Sequence, residues 1–188
     1  MAGTGGRIGA LVLLALSCVA AAASPQDAAI QDFTQRVRSY MELRQRVAKD
    51  LPPLEVSSDW RSIEASRKAL AHALRRARPH AAMGDIFSAD AAPVLRQRIA
   101  DVLREHGVTA GALLADLDSE EPAAAHARVA VNARFDWSLG ALMPGNIIAA
   151  LPPLPDELQY RFVSHNLVLL DCDAGLIVDV LPQALATE

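Results

Sequence analysis

The sequence predicts an α+β protein, with an N-terminal helical part of three to four helices and a small C-terminal antiparallel β-meander. Three observations carry this. Apolar residues recur at three- and four-residue steps through most of the chain up to residue 117. The period then falls to two in ARVAVNA (127–133), and three short apolar runs separated by turn residues follow. The 188 residues are 52% hydrophobic but only 4% aromatic, so Ala-rich helices are favoured over a large sandwich.

The first 24 residues, MAGTGGRIGALVLLALSCVAAAAS, have the form of a targeting segment. Arg7 supplies the positive charge, residues 8–16 form an apolar stretch too short to span a membrane, and Ala21-Ala22-Ala23 offers an A-x-A cleavage site. Export to the periplasm or beyond is therefore expected. The alternative start is lipid anchoring: Ala15-Leu16-Ser17-Cys18 is similar to a bacterial lipobox, which would attach lipid to Cys18 and supply the chain's one predicted membrane contact. Either way Cys172 is left as the sole thiol of the mature chain, and no disulfide framework exists.

Residues 26–50 read as a helix with Ile30, Phe33, Val37, Tyr40, Val47 and Leu51 on one stripe, flanked by Met41 and Leu43, and Leu51-Pro-Pro-Leu54 ends it. A second helix starts near Ser58 or Asp59, with Ile63, Leu70, Leu74, Ala77 and Ala81 on its inner side. Met83–Phe87 connects it to a third, which begins near Ser88 or Asp90 and stops at Gly107. Residues 108–117 add a short fourth helix. The helical part thus covers 25–118, an acidic linker 119–126 and the sheet part 127–188, the two parts packing as one unit. Within the latter, residues 137–142 suit a short strand, 144–150 a helical turn, and 160–163, 167–170 and 176–180 the meander. His165-Asn166 suits a tight hairpin, with Asn accepting positive φ, and Asp173-Ala-Gly175 the next turn. Leu-Pro-Pro-Leu recurs at 51–54 and 151–154, but different sequence follows each copy, so these are two similar corners rather than a repeat.

Charge divides along the same line. Residues 26–107 hold 14 basic and 11 acidic groups; residues 108–188 hold 3 basic and 11 acidic. The split favours docking of the halves or separate partner surfaces. Sixteen of the eighteen basic residues are arginine. That bias, with the abundant alanine, follows from a GC-rich genome as readily as from function.

Few chemistries find support. Asp171-Cys-Asp-Ala-Gly175 begins like a calcium loop, but an EF-hand needs glycine sixth and glutamate twelfth, whereas Gly175 is fifth and Pro182 twelfth. Asp171 and Asp173 remain the candidate metal residues, with His165 as a third ligand. His165 and Asp171 bracket a strand of about four residues, on the order of 13 Å, which opposes a shared site. The plainer reading makes these acids turn formers, Asp173 bonding its own turn. Cys172 between two aspartates is a poor thiolate and suits a half-buried structural role. The histidines have no H-E-x-x-H spacing, and no nucleophile elbow, Walker loop or kinase motif occurs. No cofactor and no catalytic residue is assigned. The most concentrated basic feature is the run through 67–80, which places Lys68, His72, Arg75 and Arg76 on one helix side opposite Leu70, Leu74 and Ala77. This is the solvated face of an amphipathic helix or, functionally, a surface for an anionic envelope partner; an export signal argues against nucleic acid.

At Met83–Phe87 (MGDIF), and across LPPLPDELQYRFVSHNLVLLDCDAGLIVDVLP (151–182), the chain resembles a group of predicted exported bacterial proteins with no assigned activity. The resemblance implies a helical N-terminal part, a β C-terminal part and a bacterial envelope setting, and supplies no catalytic residues. Where that group carries one acidic residue with a histidine or valine near the second turn, this chain has Asp171-Cys-Asp173. The expected role is a non-enzymatic binding or interaction module of the cell envelope, contacting an envelope protein or an anionic envelope polymer. The alternative is a metal-dependent or hydrolytic enzyme using the Asp171/Asp173 turn.

Overall fold

The computed structural model describes residues 24–52, 59–120, 129–137 and 143–185. Five helices are described: α1 (Pro25–Lys49), α2 (Trp60–Ala77), α3 (Ala91–Glu105), α4 (Ala110–Glu120) and α5 (Gly145–Ala150). A three-stranded antiparallel sheet closes the chain, formed in the order β1 (Leu158–Val163), β2 (Asn166–Asp171) and β3 (Leu176–Leu181). The fold is α+β, as predicted.

Local chemistry sets the helix ends. Ser24 and Asp27 form a reciprocal capping box with Pro25 in the first turn, so α1 starts where three N-terminal signals coincide. Asp59 caps α2 through the Arg61 amide at 3.0 Å. For α3 the cap is Ser88, whose Oγ accepts from the Ala91 amide, while Asp90 makes no side-chain cap. Gly107, at φ 65°, ends that helix in the left-handed conformation that costs glycine least. No described helix is long and apolar enough to cross a membrane.

Both faces of the sheet are covered. Phe33, Val37 and Tyr40 of α1, Leu95 and Ile99 of α3, and Ile147 of α5 pack with Leu158, Tyr160, Phe162, Leu167, Leu169 and Val178. On the other face Val163, Val168, Leu170, Ile177 and Val180 pack with Phe135, Val129, Val131 and Ala133. Double coverage explains why β2 and β3 are buried along nearly their whole length rather than alternating. A third cluster seats Leu70 and Leu74 of α2 on Ala174 and Leu176 at the β2–β3 turn.

The register slips between Leu169 and Leu170, making Val178 an extra residue in β3. The slip leaves the Val178 carbonyl to both terminal nitrogens of Arg78, at 3.3 and 3.4 Å. Next to it, buried Asp179 accepts from the backbone amides of Gly84, Ile86 and Phe87 at 2.7–2.9 Å. The MGDIF connector is thus pinned to β3 by one carboxylate, besides tucking Ile86 and Phe87 into the core.

Several expectations need correction. The described part of 127–133 is not a strand. Asn132 sits at φ 65°, which breaks extension, and the segment instead lines the β3 edge through Asn132 N to Ile177 O, Ile177 N to Ala133 O and Phe135 N to Gly175 O. The proposed strand at 137–142 lies, beyond Trp137, outside the described residues, as do residues 121–126 of the predicted linker. The first hairpin turn is Ser164-His165, with Ser164 rather than Asn166 at positive φ. In the second turn Asp171 rather than Asp173 makes the local bond, Oδ1 accepting from the Ala174 amide at 2.9 Å. On α2 the apolar side is narrower than predicted: Ile63 is 40% exposed, Ala77 is exposed, and Arg75 lies half-buried.

Gly175 has the backbone predicted for it. Its φ is +57°, and an added Cβ would lie 3.1 Å from the Arg67 guanidinium. Gly175→Val is expected to lower stability by about 1–3 kcal/mol through backbone strain. Urea unfolding should show a lower midpoint with an unchanged slope; a wild-type midpoint would show that the turn carries no such strain.

Candidate functional site

The Asp171 turn holds an ion-pair cluster. Tyr40 and Arg44 lie one turn apart on the buried stripe of α1, which aims both at the end of β2. Asp171 Oδ2 accepts from Tyr40 Oη at 2.8 Å and from Arg44 Nε at 2.9 Å, and its side chain is fully buried. Arg44 Nη2 also pairs with Asp173, and Glu157 stands 3.8 Å from Nη1. Burial alone would lower the Arg44 pKa, but the adjacent carboxylates, Asp171 first, more than offset it and the net shift is upward. The Tyr40 hydroxyl is pushed far above its ordinary value by burial and then by the Asp171 charge, so it stays a donor to that carboxylate.

This geometry assigns the two acids differently from the sequence expectation. Both face the Arg44 guanidinium. His165 is at the far end of β2, exposed, with Nδ1 3.1 Å from the Leu185 carbonyl. Among the described residues no three His, Cys, Asp or Glu side chains are grouped to hold a metal ion. Cys172 is half-buried, and its thiol pKa is raised by burial and then by Asp171 and Asp173, which disfavours the nucleophilic thiolate.

The second assembly is on α2. Glu64, Arg67, Lys68 and Arg75 lie along one stripe of the helix, at steps of three, one and seven residues. The loop carrying Arg134 and Trp137 passes in front of that stripe because its backbone is bonded to β3 and the Gly175 turn. Between them is a cleft of about 230 Å³ lined by these six residues, with Gly175 at its base. Arg67 is fixed there: Nη2 donates to the Cys172 carbonyl at 3.2 Å, and the guanidinium lies 5.4 Å from the Trp137 ring centre. Arg75 Nε donates to Asn132 O at 2.7 Å. Lys68 and Arg134 are the loose cations, their side chains 67% and 68% exposed, and both reach the same carboxylate, Glu64, at 3.5 and 2.9 Å. One acid against four bases leaves the cleft cationic.

The four residues predicted as an anionic-partner surface therefore separate. Lys68 and Arg75 line the cleft; His72 and Arg76 are exposed elsewhere on the helix surface. Arg67 stood in the same basic run. Arg134 and Trp137 were missed, because only the path of the 129–137 loop brings them to α2.

The buried cluster makes a quantitative expectation. Arg44→Met leaves Asp171 charged without its ionic partner and should cost about 3–5 kcal/mol. Replacing both residues, Arg44→Met with Asp171→Leu, should cost less than the sum of the single changes, because neither charge is stranded. Urea unfolding of the four proteins measures the coupling, and additive costs would show that the two groups do not act as a pair.

The chain matches no family model, no curated protein and no solved structure.

Proposed function

We propose that this protein is a non-enzymatic binding module of the bacterial cell envelope, exported through its N-terminal segment, and that it holds an anionic partner on the α2 face. The observation that carries the reading is the cleft itself, where Arg67, Lys68, Arg75 and Arg134 converge against a single Glu64. Net charge over the chain is −4, so a concentration of positive groups at one place runs against the general composition. Fixed Arg67 and Arg75 supply a preset positive floor, and Lys68 and Arg134 are free to exchange Glu64 for a partner's phosphate or carboxylate.

The setting outside the cytoplasm rests on the charged, apolar and A-x-A sequence of residues 1–23, supported by the position of the first cap. Ser24 would become the first residue after cleavage at Ala23, and it is the residue that caps α1. Removal of the segment would thus leave the first helix with its capping box. An enzyme built on Asp171 and Asp173 gains no comparable support, since Arg44 engages both carboxylates.

Two measurements test the proposal. Mass spectrometry of the protein recovered from its native cells should find Ser24 at the N-terminus, or a diacylated Cys18 in the lipid-anchored form. An intact Met1 chain in the cytosol overturns the envelope setting. For the anionic partner, soluble polyphosphate and phosphatidylglycerol vesicles present phosphate charge in two forms. Lys68→Glu with Arg134→Glu should weaken binding of whichever form the protein holds by about tenfold or more, and added salt should weaken it further. A variant indistinguishable from wild type toward both forms refutes the anionic-partner reading.

A further inference from the structure

The cationic cleft continues outward along α2 into a second, open hollow lined by Trp60, Ile63, Glu64, Arg67, Lys68 and Arg134. The two hollows share four of their charged residues and so form one surface. It is also where exposed apolar side chains gather. Trp60 is 68% exposed, Trp137 43% and Ile63 40%, and these are three of the six large hydrophobics exposed among the described residues. Single exposed apolar residues are ordinary; two indoles and an isoleucine bordered by arginine and lysine are not a scatter.

We propose that this face docks on an anionic phospholipid surface, Trp60 and Ile63 entering the zone between headgroups and acyl chains while Lys68, Arg67 and Arg134 meet the lipid phosphates. This docking rests on the anionic-partner reading above and narrows it to a lipid source. Three features favour a lipid surface over a soluble polyanion. A dissolved polymer gains nothing from Trp60 and Ile63, whereas indole and aliphatic groups beside basic residues are what a membrane interface accommodates. The inner cleft holds only about 230 Å³ and runs into an outer hollow that is open to solvent, so the whole suits an extended surface. Trp137 already has two guanidinium groups over its ring, Arg67 at 5.4 Å and Arg161 at 6.0 Å, so its face is committed to cations rather than free to stack on a sugar or base. Charge also orients the molecule. With a net charge of −4 over the whole chain, the cationic α2 face is where an anionic membrane attracts the molecule.

The chain has two tryptophans, and both are on this face, so intrinsic emission reads the contact directly. The full chain is titrated with vesicles of equal parts phosphatidylglycerol and phosphatidylcholine, with phosphatidylcholine alone, and with soluble polyphosphate. Emission should shift to the blue and be quenched by brominated acyl chains only with the phosphatidylglycerol vesicles. Trp60→Ser with Ile63→Ser should lower the sedimented fraction's apparent affinity by about tenfold or more, with the thermal melt of the variant recorded beside that of wild type as the control for folding. Residues 1–23 are present in wild type and every variant alike, so the difference between wild type and variant on the same phosphatidylglycerol vesicles reads the α2 face alone. Lipid docking is overturned if the Trp60/Ile63 variant binds phosphatidylglycerol vesicles as wild type does, or if wild-type emission neither shifts nor is quenched. If polyphosphate binding is still lost in the Lys68/Arg134 variant, only the lipid source falls; if that loss is absent too, the anionic-partner reading falls with it.

Discussion

The contact between Arg44 and Asp171 joins the two parts of this protein. An arginine buried on the core stripe of α1 is stable only if its charge is met, and Asp171 meets it from the last residue of β2. Tyr40 and the Ala174 amide satisfy the same carboxylate, so the pair is saturated with donors. Hydrophobic packing alone would tolerate several placements of a helix over a three-stranded sheet. A buried charge pair tolerates one, because any slip of α1 strands a guanidinium and a carboxylate in an apolar interior. The opposite net charges of the two halves, visible in composition, thus become concrete at a single buried contact and at its half-exposed neighbours Asp173 and Glu157.

Arginine does a second kind of work that composition conceals. Arg36, Arg67, Arg75, Arg78, Arg96 and Arg98 each donate to a backbone carbonyl distant in sequence, at Asp85, Cys172, Asn132, Val178, Pro182 and Ala150. These carbonyls belong to loops, turns, a bulge and the last residue of α5, where the local ladder or helix supplies no donor. A guanidinium reaches such groups with several donors in a fixed plane, which an ammonium cannot do. With Arg44, seven of the sixteen arginines are thus tied into the fold, which separates them from the cations that face outward. Lys68 and Arg134, both exposed and both paired with Glu64, belong to the second group.

Much of the architecture was legible because it follows from local chemistry. Periodicity located the helices, Asp59 and Gly107 marked their ends, and Gly175 marked a turn that needs positive φ. What escaped depends on distant partners. Arg44 falls in line with Tyr40 and Val47 on the apolar stripe, an anomaly visible in the sequence, yet nothing local says that Asp171 answers it. The 129–133 alternation is a true signal of half-burial, for Val129 and Val131 do pack against the sheet, but Asn132 at φ 65° bends the backbone before a ladder can form. Likewise Lys68 and Arg75 could be placed on α2 by helical spacing, and Trp60 stands on the same stripe. Arg134 and Trp137 reach that stripe only because Phe135 is bonded to Gly175.

The turn 172–175 ties the fold to the candidate surface. On one side its Asp173 is held by Arg44; on the other its Cys172 carbonyl holds Arg67, which packs against Gly175 and lies over Trp137. Ala174 and Gly175 of this turn line the cationic cleft, so the turn that Arg44 holds at Asp173 also supplies part of the cleft wall. Preset donors cost little ordering when a partner arrives, and the adaptable part is left to Lys68 and Arg134 at the rim. A surface arranged in this way, held beneath by bonded arginines and exposed at its edge with Trp60 and Ile63 beside it, can meet a soft, charged layer with little rearrangement of its own backbone. The constraint that fixes α1 on the sheet also fixes the floor on which α2 presents its charge.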